Sequence, residues 1–508
     1  MIIMNEHSNT CFETLYIKLR ELFSKNKLPF TAALIFGLCA HGYALTNKLL
    51  NHDEIASVFG KGATVTSGRW GLALARFIFP DWSMPWICGL VTLLLMSASA
   101  CVIIRILDIK SPVFQILTSA LILTFPSLTG TMCFMFTAAP YALAFLMAMC
   151  AVWFYLRGGK ADLAAALLLL ILALGIYQAY ISVVACLFVL LMISDCLDGS
   201  KGVKEIVLFG LKALAFMGLS IALYFGIAKL ALLIYGSGFN AYVAENVNAQ
   251  VSPLRRLRIA YDSFGYYFIY RNFYLIPTEA SRYMHIVLLF FIVCGAAFAA
   301  VKKRRPVHAL LLAILLLILP LAINCMYLIM SASAIHTLVI YSFVSLYLLA
   351  LIVCRNLNCN LSNIYKDLIA LMLCITAAVN ICFANMCYLK MDIEYKNAAS
   401  FYTSLIAQIK QTEGFDENCR IALIGEQHNT LNTMPEMDTA DMMGPAFDLI
   451  NVYSRKDFIR IYMDFDVPFA DADEVEALVN DYRVQAMPYY PYYGSVAKID
   501  NYIVVNFG

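Results

Sequence analysis

The sequence predicts a polytopic α-helical membrane protein with about eleven transmembrane helices and a small extracytoplasmic α/β domain at its C-terminal end. Three observations carry this. Hydrophobic residues make up 62% of the 508 positions and charged residues 14%, more apolar surface than a soluble domain of this length buries. Apolar runs of about 20 residues, enough to cross roughly 30 Å of hydrocarbon, recur from Pro29 to Leu389. After Met391 the composition changes to that of a soluble unit.

Residues 1–28 form an amphipathic N-terminal segment in which Leu15, Ile17, Leu19 and Leu22 alternate with basic residues, the pattern of a short interfacial helix. Eleven spans follow within 29–390, at 29–47, 84–107, 112–131, 135–156, 162–177, 179–195, 206–234, 284–301, 307–329, 336–354 and 365–388. Arg157 with Lys160, Lys201 with Lys204, Lys302 to Arg305, and Arg355 with Lys366 fall in alternate connections, on the side of Lys18, Arg20, Lys25 and Lys27. Because Lys and Arg concentrate in cytoplasmic loops, this places the N-terminus inside and residues 391–508 outside. The first span lacks a cleavage site and is expected to remain as a helix.

Two outer loops are too long for simple connections, 48–83 and 235–283. In the first, Trp70 to Phe79 reads as a helix lying in the interface, with Arg69 and Arg76 on one face and Leu72, Leu74, Phe77 and Phe79 available to the bilayer. Spans five and six abut at Gly175-Ile-Tyr177-Gln178-Ala-Tyr180, and irregular backbone at that depth must be sheltered by protein or line a cavity. In the C-terminal unit, Asn397–Gln411 reads as a helix, Arg420–Gly425 as a buried strand, Asp473–Asp481 as a short helix, and Val496–Phe507 as a hairpin.

Composition also excludes. A net charge of +2 gives no signal for nucleic acid. The sixteen cysteines lie mostly inside spans and show neither a disulfide framework nor zinc spacing. The spans are nearly free of central charge, unlike ion-coupled transporters, and no phosphate-binding glycine loop points to a nucleotide-driven engine.

Chemistry concentrates in Asn51-His52-Asp53-Glu54. An outward carboxylate can deprotonate an acceptor hydroxyl, and Asp53 and Glu54 both qualify, although neighbouring residues point differently and one alone would face the acceptor. The same acids also suit a solvated loop. His52 could tune the pair, but one His beside two acids makes a weak metal site. Arg69 and Arg76 in the first outer loop, and Arg255, Arg256 and Arg258 in the second, run against the positive-inside tendency. Two readings stand for them and for Lys229: a clamp on an anionic phosphate, or headgroup anchoring and snorkelling. Trp70, Tyr177, Gln178, Tyr180, Tyr261, Tyr266 and Arg271 could line a lipid or sugar pocket, or serve helix packing alone. The tyrosines of Pro488–Gly494 could stack on sugar rings or pack as a cap.

Taken in order, Asn51-His-Asp-Glu54, Ser67-Gly-Arg-Trp70, Ser83-Met-Pro-Trp86, Gly175-Ile-Tyr-Gln-Ala-Tyr180 and the closing Met487–Val504 pattern resemble the phage-type, serotype-converting O-antigen glucosyltransferases (GtrII-like), a branch of the polytopic GT-C glycosyltransferases. The resemblance implies a GT-C-like inverting hexosyltransferase of the bacterial inner membrane. It would move glucose or a related hexose from a polyprenyl phosphate donor to a glycan, typically lipid-linked O-antigen, on the outer face. It maps the catalytic base to Asp53 with Glu54 in support, and gives the arginines the leaving phosphate to stabilise. No cofactor is implied, and a divalent metal stays open. The partners implied are the donor, the acceptor glycan, membrane lipids, a small flippase and a donor-synthesising glycosyltransferase. A transporter or flippase of lipid-linked glycan is the competing class and a catalytically silent assembly factor a third; a flippase would show a charged central pathway.

Overall fold

Proline sets where several helices begin. Pro85, Pro112, Pro126, Pro253 and Pro306 each occupy the first turn of a helix, where the missing N–H has no partner to lose and the fixed φ already suits the helix. The computed structural model describes residues 11–60, 62–241, 243–244, 251–270, 279–328, 337–357, 362–426 and 450–508.

The chain opens with α1 (Cys11–Thr46), then the short α2 (His52–Ala56) and α3 (Trp70–Ala75). A run of long apolar helices follows: α4 (Pro85–Ile106), α5 (Pro112–Thr124), α6 (Pro126–Cys133), α7 (Met135–Arg157), α8 (Lys160–Ile176), α9 (Tyr180–Asp198) and α10 (Val203–Tyr235). The long connection after α10 contributes Pro253–Phe268, and Glu279–Lys303, Pro306–Ile323, Ser345–Asn356 and Ser362–Gln411 complete the helical part. Among the described residues, nine helices are long and apolar enough to cross a membrane. The other two expected spans are shorter: α8 has 17 residues, and the apolar helix at the tenth position covers Tyr341–Asn356. At 1.5 Å per residue α8 measures about 26 Å, just short of the hydrocarbon thickness. Pro126 breaks the third span into α5 and α6.

The N-terminal segment is helical but not separate. From Cys11 it runs without interruption into the first span, Pro29 included, as one helix of 36 residues. Helix α3 is shorter than the ten residues expected, ending at Ala75. Leu72 is fully buried, not turned toward lipid, while Leu74, Phe77 and Ile78 are exposed.

Within the bundle, α4 lies along α1 and α7, α7 along α8, and α9 along Pro306–Ile323. Hydroxyls inside the spans bond back to their own helix, as in Thr92 to Cys88 O, Ser97 to Leu93 O and Ser220 to Phe216 O, which satisfies them where water is absent. The basic connections meet at one end. Arg355 donates to Leu107 O at 2.6 Å and reaches Asp198 at 3.5 Å, His308 lies 3.0 Å from Lys201 O, and Lys303 bonds Asp198 O. The loops carrying α2 and α3 join the opposite ends of the same helices.

Ser362–Gln411 is one 50-residue helix that passes from the bundle into the C-terminal unit with no break near 391. There Tyr402, Leu405 and Ile409 pack against a three-stranded sheet of order β1-β3-β2: β1 (Arg420–Ile424) parallel to β3 (Tyr502–Asn506), and β2 (Val496–Ile499) antiparallel to it. The expected strand and hairpin are thus present, and the short helix falls at Ala472–Val479, capped by Asp471 and Glu474. Leu50 and Ile55 join the core beneath this sheet, which fixes the α2 region against the C-terminal unit.

Candidate active site

Helix α2 exists because Asn51 caps it. The Asn51 side chain accepts from Glu54 N at 2.8 Å and donates to Cys133 O at 2.7 Å, so one residue both starts the helix and ties it to the end of α6. The two carboxylates then part. Glu54 is fully buried. Lys48 and Ser83 both donate to its Oε1, and Phe136 N donates to Oε2 at 3.3 Å. A buried carboxylate is tolerated only when so paired and hydrogen-bonded. Asp53 faces the other way, with its side chain 46% exposed and His52 Nε2 3.8 Å away. The two acids of the couplet thus differ in exposure: the Asp53 carboxylate is open to solvent, and the Glu54 carboxylate is closed in by its three donors.

A second node joins two distant motifs. Ser67-Gly68-Arg69-Trp70 packs onto Gly175–Tyr180, the turn between α8 and α9. A Cβ on Gly71 would lie 2.8 Å from the Gly175 backbone, and one on Gly175 would lie 2.6 Å from the Trp70 ring, so two glycines permit the contact. Gly68 adopts φ +73, a left-handed conformation suited to glycine, and its carbonyl accepts from Tyr224 at 3.0 Å. Gln178 donates to the same hydroxyl at 2.8 Å. Tyr177 stacks on Tyr141 with centroids 4.2 Å apart, and the Arg69 guanidinium lies at the edge of the pair, 5.8 and 6.0 Å from the two centroids. Tyr180 is buried against Phe145 and Tyr177 as a packing residue.

Helix α7 connects the nodes. Phe136 N donates to Glu54 and the Tyr141 ring lies beside Arg69; five residues of helix separate them, about 7.5 Å along the axis.

The remaining residues do not gather there. Arg76 does not share a face with Arg69; it pairs with Asp81 at 2.6 Å, because the helix ends before the seven-residue spacing is completed. Arg256 donates to Leu328 O at 2.7 Å, Arg258 is 80% exposed and pairs with Asp262 at 3.3 Å, and Arg255 is exposed on the same helix. Lys229 is exposed on α10. Tyr261 donates to Leu317 O, Tyr266 is exposed, and Arg271 lies outside the described residues. Among the described residues no group of three or more His, Cys, Asp and Glu could hold a metal ion. Sequence reasoning missed Lys48, Ser83, Tyr141 and Tyr224. Ser83 opened a quoted motif, but nothing in it pointed to Glu54; the tyrosines were hidden in apolar runs.

A bundle of long apolar helices, with a buried ion pair and an arginine set against two tyrosine rings at the end away from its basic connections, defines a polytopic membrane protein. Residues 42–349, more than half of the chain, match the family described as glucosyl transferase GtrII. The chain belongs to that family and is a glycosyltransferase, as the ordered motifs implied. The match covers both nodes and stops before the C-terminal unit, so the closing Met487–Val504 pattern lies outside it. No curated protein and no solved structure matches the chain.

Proposed function

We propose that the protein is an inverting hexosyltransferase that moves glucose or a related hexose from a polyprenyl phosphate donor to a lipid-linked, O-antigen-like glycan on the outer face of the bacterial inner membrane. The observation that carries this is the division of labour in the acidic couplet, one carboxylate sealed by Lys48, Ser83 and Phe136 and the other half exposed beside it. In the proposed step the acceptor hydroxyl gives its proton to Asp53 as its oxygen bonds the anomeric carbon. The bond from that carbon to the phosphate oxygen breaks, and polyprenyl phosphate leaves with the electron pair. One displacement inverts the anomeric centre and needs one base. Arg69 stabilises the charge growing on the leaving phosphate, and Arg255, Arg256 and Arg258 meet the headgroup plane. Eleven crossings with the N-terminus inside suit this, since the basic connections share one end of the bundle. A flippase and a donor-synthesising glycosyltransferase would supply donor to the outer leaflet.

The test is transfer from radiolabelled polyprenyl phosphate glucose in isolated membranes, with the product bond assigned by NMR. Label should reach the glycan with the anomeric configuration inverted. Movement of labelled lipid between leaflets without a new glycosidic bond would favour the flippase reading instead.

A further inference from the structure

The C-terminal unit carries a cleft of about 530 Å³ that no family motif reaches. Its walls include Tyr453, Lys456, Asp457, Arg460, Asp466 and Phe469. That volume falls within the roughly 300–1,000 Å³ of small-molecule sites. Two features describe what would fit. The walls carry two positive and two negative side chains, a formal balance of zero, which disfavours a strongly anionic ligand. They also set aromatic surface among charged donors and acceptors: Lys456 lies 5.7 Å from the Phe469 ring centre, Arg460 pairs with Asp466 at 2.9 Å, and Tyr453 is 65% exposed. Ring faces with fixed polar groups between them suit a neutral polyhydroxylated ligand, whose C–H faces and hydroxyls are presented together.

The cleft adjoins the reactive couplet. Ile450 and Phe458, on either side of Tyr453 and Asp457, share one buried core with Leu50 and Ile55, on either side of Asp53 and Glu54. Burial first, then the negative charges of Asp53 and Asp457, raise the Tyr453 hydroxyl above its ordinary range.

We infer that this cleft is the subsite for the acceptor glycan, holding neutral sugar units so that a hydroxyl is presented at Asp53. The inference rests on the transferase reading above and assigns the acceptor side of the same site.

The test uses the full chain in lipid nanodiscs and neutral trisaccharides bearing a diazirine, with labelled peptides mapped by mass spectrometry. Label should fall within 453–469. Asp457→Asn, and Tyr453→Ala as a variant at an exposed position outside the buried core, should each raise the half-labelling concentration roughly tenfold, the scale of one lost hydrogen bond. Transfer and labelling are read separately: persistent transfer by Asp53→Asn would overturn the base, whereas labelling indifferent to Asp457 and Tyr453 would overturn the subsite. Stronger competition by inorganic phosphate than by unlabelled neutral trisaccharide would also overturn it, marking an anion site.

Discussion

Replacing Glu54 by Gln should damage the fold and spare the chemistry. The Glu54 carboxylate is an acceptor for three donors, Lys48 and Ser83 on one oxygen and Phe136 N on the other. Glutamine offers one carbonyl oxygen and an NH₂, so whichever oxygen site it fills, a donor faces a donor at the other. The Lys48 ammonium also loses its counter-charge. Breaking a buried pair costs about 3–5 kcal/mol, and because Lys48 is 27% exposed the expected loss is about 2–4 kcal/mol. Thermal unfolding of the detergent-purified protein should show a clear fall in Tm, while the folded fraction retains transfer. Lys48→Met combined with Glu54→Gln should cost less than the two single losses added, with a coupling of about 1–3 kcal/mol. A Glu54→Gln protein that melts like the wild type but transfers no sugar would refute this: Glu54 would then be the base and Asp53 a loop acid.

Other outcomes follow from the second node and the C-terminal unit. Gly175→Ala drives a methyl into the Trp70 ring, 2.6 Å away, and should cost about 1–3 kcal/mol, seen as a lowered Tm and a shifted tryptophan emission. Arg69→Ala should lower donor kcat/KM at least roughly tenfold, mainly through kcat because the charge it meets grows in the transition state, with the acceptor KM unchanged, and Arg69→Lys should recover little of it because a lysine cannot donate as a fork. Arg258→Ala, removing an exposed side chain already paired with Asp262, should weaken donor use less than Arg69→Ala. Arg483 holds Asp481 and Asp500 below the usual carboxylate range through hydrogen bonds, so its stabilising effect is present above that range and fades as pH falls through the lowered values. Acid unfolding of the C-terminal unit, followed by hydrogen exchange, should therefore show Arg483→Met weaker near neutrality and converging with the wild type in acid.

Apolar periodicity and Pro positions made the helical bundle legible, because a membrane demands long runs and Pro marks where they start. The hairpin at Ile499–Tyr502 was legible for the same kind of reason, alternation around a turn. What escaped depends on tertiary contact. Nothing local says that Glu54 meets Ser83 and Lys48, or that Arg69 turns inward to Tyr177 while Arg76 takes Asp81. Heptad spacing put those two arginines on one face only while the helix was assumed to continue past Ala75. Likewise, Leu72 looks the same in sequence whether it faces lipid or core, and Gly71 against Gly175 decides for the core.

Sugar transfer by Asp53→Asn, in membranes containing wild-type levels of inserted protein, is the most direct measurement. Asn keeps the size of the side chain and removes its ability to take a proton, so transfer from polyprenyl phosphate hexose should fall to background while Tm stays within error of the wild type. Wild-type transfer by that variant would show that the half-exposed carboxylate is not the base.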